Sequence, residues 1–240
     1  MRRHLWLVFL LLPLAAATAG GPSVVKVEDE PFHRLVLESP QARVFLVELP
    51  AGKTTLPHRH EHDYVQVSLS EADVQDAKLE HALVLTQPLY VGHARFYHGP
   101  VEHRFRNAEG FATYRNYTVE ILKKGSQPWS YPQSEASLND YDVLPFATEP
   151  EKTGIASLDR DTVRMVRYQI RAGESLAPHT PAGPALLIAL TDVQLAEKGS
   201  DPQTEERSYS AGDAQWFGGV GHQLTNTGKE PAQFIVLEFK

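Results

Sequence analysis

Beyond its N-terminal segment the chain alternates between short apolar-rich runs and clusters of turn residues. Arg43–Leu49, Tyr64–Leu69, Phe111–Leu122 and Gln233–Phe239 are such runs, and Gly, Pro, Asn and Asp separate them at intervals that suit strands. No stretch sustains a helical period over three turns. The pattern predicts an all-β chain, folded as a sandwich or barrel. The first residues break it. Arg2, Arg3 and His4 precede an apolar run from Leu5 to Ala17, interrupted by Pro13 and ended by Ala17-Thr18-Ala19. A positive start, a short hydrophobic stretch and a small-x-small end mark a secretory signal peptide, residues 1–19, cleaved after Ala19. The run is short of the roughly 20 apolar residues that a membrane span needs; an uncleaved anchor is the alternative. The expected mature chain, from Gly20 onward, is soluble and exported, whether secreted or periplasmic.

The strand pattern also repeats. Arg43-Val-Phe-Leu-Val-Glu-Leu-Pro-Ala-Gly52 parallels Arg164-Met-Val-Arg-Tyr-Gln-Ile-Arg-Ala-Gly173, and Pro57-His58 parallels Pro178-His179. Further on, Gly99-Pro-Val-Glu-His103-Arg-Phe-Arg-Asn107 parallels Gly218-Gly-Val-Gly-His222-Gln-Leu-Thr-Asn226. Each half thus carries Gly-x5-His, a long interval, and then His-x3-Asn before a final strand. Agreement at so many ordered positions predicts two tandem copies of one β-domain. They are joined by a segment rich in Pro, Ser, Asp and Tyr.

These motifs resemble those of the cupin superfamily, G-x5-H-x-H-x3,4-E-x6-G and G-x5-P-x-G-x2-H-x3-N. The first reads here Gly52-Lys-Thr-Thr-Leu-Pro-His58-Arg-His60-Glu-His62-Asp63-Tyr64. The second reads Gly92-His-Ala-Arg-Phe-Tyr-His98-Gly99-Pro100-Val-Glu-His103-Arg-Phe-Arg-Asn107. The resemblance implies a bicupin: two tandem jelly-roll β-barrels, over residues 20–124 and 155–240, with 125–154 as linker. Cupins include dioxygenases, isomerases, epimerases, decarboxylases, storage proteins and sugar sensors, so the resemblance implies no particular reaction. It is compatible with a homodimer paired through strands and with a self-sufficient monomer.

The candidate chemistry lies in the first half. His58 and His60 are separated by one residue, so in a strand both imidazoles share a face. With His103 from a later segment they form a three-histidine set suited to a first-row divalent metal: Fe, Mn, Zn, Ni or Cu. Where the family usually has Glu, this chain has Tyr64, a poor ligand because its phenol ordinarily titrates near about 10. Tyr64 is therefore the candidate catalytic residue beside the metal, as hydrogen-bond donor or proton donor. His62, by strand parity, or Asp63, by a slip of one residue, are alternatives for completing the ligand set. Gln66 shares the parity of Tyr64 and is expected to face the pocket. His98, in place of the family's Pro, is expected at the barrel mouth, and Asn107 reads as a structural turn-closing residue. In the second half, Pro181, Ala185 and Leu187 stand where His60, Tyr64 and Gln66 stand. His179 and His222 alone remain, so this half is expected to be structural, with a degenerate site as the minority reading. Trp216 and Phe217 are expected in its core or pocket wall.

Composition narrows the functions. The 240 residues hold no cysteine, which excludes disulfides, Fe–S clusters, Cys-based zinc sites and a thiol nucleophile. A net charge of −7, with no basic block, argues against nucleic acid. There is no Gly-x-Ser-x-Gly elbow, and Gly218-Gly-Val-Gly221 lies in the β repeat rather than in a phosphate loop. Two classes remain. One is a metal-dependent, dioxygenase-like oxidoreductase acting on a small organic molecule. The other is an exported protein that binds a small molecule or metal without turnover.

Overall fold

The computed structural model describes residues 23–79, 84–108, 112–125, 155–199, 204–217 and 220–240. The proposed signal peptide, and all but the first residue of the proposed linker, lie outside these residues. The described chain is all-β, with a single 3-10 turn at Val27–Asp29. Among the described residues no helix is long and apolar enough to cross a membrane. The first half contains β1 (Val25–Lys26), β2 (His33–Glu38), β3 (Ala42–Leu49), β4 (His58–His60), β5 (Tyr64–Ser68), β6 (Ala72–Lys78), β7 (Val84–Leu89), β8 (Ala94–Tyr97), β9 (Val101–Asn107) and β10 (Tyr114–Ile121). The second contains β11 (Ile155–Asp159), β12 (Val163–Ile170), β13 (Ala185–Ala189), β14 (Val193–Lys198), β15 (Thr204–Tyr209), β16 (Ala214–Phe217), β17 (Gln223–Asn226) and β18 (Ala232–Phe239).

These strands form four sheets, with orders β1-β4-β9-β6-β7, β2-β3-β10-β5-β8, β11-β12-β18-β13-β16 and β15-β14-β17. The second and third orders are the same path traced twice, so the sequence repeat is a structural repeat. The repeated glycines explain part of the pattern. Gly52, Gly92, Gly173 and Gly212 all have positive φ, from 72° to 89°, in tight turns where a side chain would be strained.

Strand parity gives each of the two middle sheets one face toward its own half's core and one toward the other half. In the first half Leu49, Ala72, Val74, Leu89, Phe105 and Tyr114 close the space between its two sheets. A second-half cluster built around Tyr168, Leu187, Leu195, Leu224 and Phe234 does the same there. Opposite faces of the middle two sheets meet in a third core. Val44, Leu46, Val65, Val67, Phe96 and Val119 from the first half pack with Met165, Leu186, Ile188, Ile235, Leu237 and Phe239 from the second. The order of layers is therefore four sheets with the shared apolar core in the middle. Tyr117 adds a hydrogen bond across it, donating to the Gly212 carbonyl at 2.8 Å.

Candidate metal centre

Short strand β4 pairs with β9 so that His58 lies directly opposite His103, and His60 opposite Val101. Both histidines of β4 point between the sheets, as the His-x-His spacing requires. The rings of His58 and His103 are 4.5 Å apart, those of His58 and His60 5.1 Å, and those of His60 and His103 5.4 Å. All three are buried, at 0%, 1% and 4% exposure.

Each ring is oriented from behind through its Nδ1. His58 Nδ1 donates to the Leu56 carbonyl at 2.8 Å, His60 Nδ1 lies 3.2 Å from Glu120, and His103 Nδ1 lies 2.9 Å from Asp76. An acceptor on Nδ1 fixes the tautomer that leaves a lone pair on Nε2. The Nε2 atoms of His58 and His103 are buried and have no hydrogen-bond partner. Two such orphaned acceptors, side by side, are costly unless something binds there. Burial holds the His58 and His60 imidazoles well below their ordinary value, and the neighbouring histidines push the same way. Neutral imidazoles are the form a metal takes. The residues thus fit a divalent cation.

A fourth histidine joins them that sequence reasoning missed. His33 opens β2, on the facing sheet, with its ring 4.7 Å from His58 and 5.9 Å from His60. One ring nitrogen each from His33, His58 and His60 lies within 4.8 Å of the others. His103 stands beside this tightest group, against His58. No motif flags His33, because it lies outside both cupin signatures. Glu120 had a visible signal: a carboxylate one residue before the end of the final strand, repeated as Glu238 in the second half. Both pair with the arginine that opens the repeat, Arg43 with Glu120 at 2.6 Å and Arg164 with Glu238 at 3.8 Å. Burial pushes the Glu120 carboxyl up to about 7, against the pull of Arg43.

Tyr64 stacks on His60 at 4.3 Å and on Tyr97 at 4.4 Å, so it lies beside the histidines as part of an aromatic column. Gln66 is buried and accepts a bond from the Tyr97 hydroxyl at 3.3 Å. The two alternative ligands stand apart from the cluster. His62 is in the β4–β5 loop, and Asp63 accepts from the Gly99 amide at 2.9 Å and faces His98 at 3.6 Å. Asp63 and His98 therefore order the loops at one end of the sheets.

The second half keeps part of this design. His179 and His222 form an isolated bridge in the register of His58 and His103. His179 Nδ1 donates to the Ala177 carbonyl at 3.0 Å and His222 Nδ1 meets Glu197 at 2.8 Å, while the two Nε2 atoms face each other at 3.2 Å. Buried Pro181 occupies the place of His60, and Phe217 stacks on His222. Trp216 instead packs against the shared central core, 5.4 Å from Phe239.

No protein-family model and no curated protein matches this chain. Solved structures do. AerE from Microcystis aeruginosa aligns with a TM-score of 0.60 at 12% identity, over 88% of this chain and 98% of that one. A cupin 2 conserved barrel domain protein from Leptotrichia buccalis aligns at 0.54 and 11% identity, over 87% and 88%. Oxalate decarboxylase from Bacillus subtilis, in a structure concerned with its Mn(II) centres, aligns at 0.56 and 14% identity, over 84% and 70%. The chain has the cupin fold in tandem form. Its buried histidine cluster is suited to a divalent metal.

Proposed function

We propose that this protein is an exported, metal-dependent oxidoreductase of the dioxygenase type, acting on a small organic molecule in the first barrel. The observation that carries the metal is the pair of orphaned, buried Nε2 atoms of His58 and His103, beside His60, with every Nδ1 held by an acceptor. A divalent metal bound there supplies Lewis acidity and, if redox-active, a path for electrons to oxygen. His58, His60 and His103 hold it. Leu56, Glu120 and Asp76 fix the rings, and burial excludes water. Tyr64, stacked on His60, is the group beside the metal that can orient a substrate or hold a proton. Export rests on the signal-like residues 1–19.

One observation favours the second reading, capture without turnover. Tyr64 is 1% exposed and stacked on both faces, by His60 and Tyr97, so the one candidate acid–base group has little freedom to meet a substrate. Metal analysis of the chain from Gly20, wild type beside His60→Ala, tests the centre. About one equivalent in the wild type and none in the variant supports it. Oxygen uptake by the metal-loaded protein across a panel of small diketones and aromatic diols then separates enzyme from binder. No metal in the wild type after reconstitution would sink the metal reading altogether.

A further inference from the structure

His33 belongs to neither cupin motif, yet it is built into the centre as firmly as the motif histidines. It opens β2, an edge strand of the sheet facing the one that carries His58, His60 and His103. Its side chain is 5% exposed, and its Nδ1 lies 2.6 Å from Glu30, whose side chain is fully buried. Glu30 does more than pair with one ring. It also accepts from the Phe32 amide at 2.8 Å and from the Leu56 amide at 3.1 Å. The Leu56 carbonyl is in turn the acceptor for His58 Nδ1. A single buried carboxylate therefore aims His33 directly and braces the segment that aims His58.

Burying a carboxylate and an imidazole together is unfavourable unless the pair is well bonded. A surface-type ring would not need such a clamp. With Nδ1 taken by Glu30, the Nε2 of His33 is the ring nitrogen left for the cluster. Nitrogens around a metal at about 2.0–2.1 Å stand roughly 3–4 Å apart. Ring nitrogens already within 4.8 Å of one another reach that spacing by small side-chain movements.

We propose that His33 is a further metal ligand, so that imidazoles from both facing sheets hold the ion and no carboxylate touches it. The proposal rests on the metal reading above. Its consequence is chemical. Four neutral donors leave the full charge of the ion in place, with Glu30, Asp76 and Glu120 balancing it from behind the rings. Such a set suits Cu, Zn, Ni or Fe, and disfavours Mn and Mg, which take oxygen donors.

The test uses Zn(II) and Cu(II) as probes on metal-free chain from Gly20, with His33→Ala, His33→Gln, His60→Ala and, as control, His93→Asn in the β7–β8 turn. His33→Gln keeps an N–H for Glu30 and guards against a folding defect, which circular dichroism and the metal-free melting temperature would reveal. In His33→Gln, Zn(II) affinity is expected to fall at least 10–100-fold while circular dichroism stays native. Pulsed electron paramagnetic resonance of the Cu(II) form is expected to lose one imidazole nitrogen from its coupling pattern. His93→Asn should bind both ions as the wild type does. Unchanged affinity and an unchanged Cu(II) spectrum in His33→Gln would overturn the assignment of His33 while leaving the centre standing. A wild type that binds neither ion would overturn both.

Discussion

At the scale of single residues, the polar groups of the first half are placed for support as much as for chemistry. Asn107 is fully buried, and its side-chain amide donates to the carbonyls of Leu49 and Ala112, both at 2.9 Å. It ties the end of β3 to the chain entering β10. Asn226 repeats this in the second half, donating to Ile170 at 2.9 Å and Glu230 at 2.8 Å. Replacing Asn107 by Ala strands two carbonyls, so the expected loss is about 2–4 kcal/mol. Asn226→Ala should cost a similar amount. Urea unfolding of the metal-free protein checks both, and a loss under about 0.5 kcal/mol in either would refute the clasp. This role was legible beforehand, because both halves keep the Asn while the second lacks the counterparts of His60 and Tyr64. His33, by contrast, was illegible. Its partners are Glu30 and an opposing sheet, and nothing local distinguishes a lone histidine at the start of a strand.

At the scale of elements, the working unit is the β4–β9 pair with the loops that cross its end. His-x-His made it readable that His58 and His60 share a face, whereas the register that sets His103 opposite His58 comes from the β4–β9 pairing. What parity could not give is how closely the loops pack. The position of a Cβ on Gly99 would lie 2.4 Å from the His62 carbonyl group, and the Gly99 amide is held by Asp63. Gly99→Ala must therefore push the β4–β5 loop, which runs directly from His60 to Tyr64. Overpacking of this kind costs about 1–3 kcal/mol, and the displaced loop should also weaken metal binding. Melting temperature and Zn(II) titration of the variant check the two effects. A variant with wild-type values for both would show that the loop yields freely. In the second half, Pro181 replaces the second histidine of this unit, and its strand shrinks to the His179–His222 bridge. Proline cannot donate to a ladder, which accounts for the loss of strand along with the loss of ligand.

At the scale of the whole molecule, two features follow from the joining of the halves. The first is an acid sensitivity. His93 sits in the β7–β8 turn, where Arg167 of the other half packs against Gly92. Burial lowers the His93 pKa below its ordinary 6.5, and Arg95 and Arg167 lower it further. The unfolded chain then binds a proton near 6.5 that the folded chain refuses. This contribution leaves stability untouched above about 6.5 and erodes it as pH falls below, levelling off past the folded value. Melting temperatures at pH 7 and pH 5 should therefore fall less in His93→Asn than in the wild type. Parallel curves would remove His93 from the account.

The second feature is the dependence of each half on the other. Tandem repetition was evident in the sequence, but which face of each copy would be buried was not. Both faces of β3, β5 and β10 carry apolar or large side chains, and period-two alternation cannot say which one a neighbour covers. The structure assigns Val44, Leu46, Val65, Val67, Phe96 and Val119 to the shared core, with Tyr64, Gln66 and Glu120 turned toward the histidines. Residues 23–125 alone would lay that apolar face open, a patch of a size that soluble monomers rarely expose. Expressed without residues 155–240, the first half is expected to precipitate, or to dimerise through this face in place of its missing partner. Light scattering of the purified fragment distinguishes the cases. Substituting Val65 and Val119 together by Thr should restore solubility if the exposed face is the cause. A soluble, monomeric first half that binds Zn(II) as the intact chain does would mean that the shared core adds stability without being needed to build the centre.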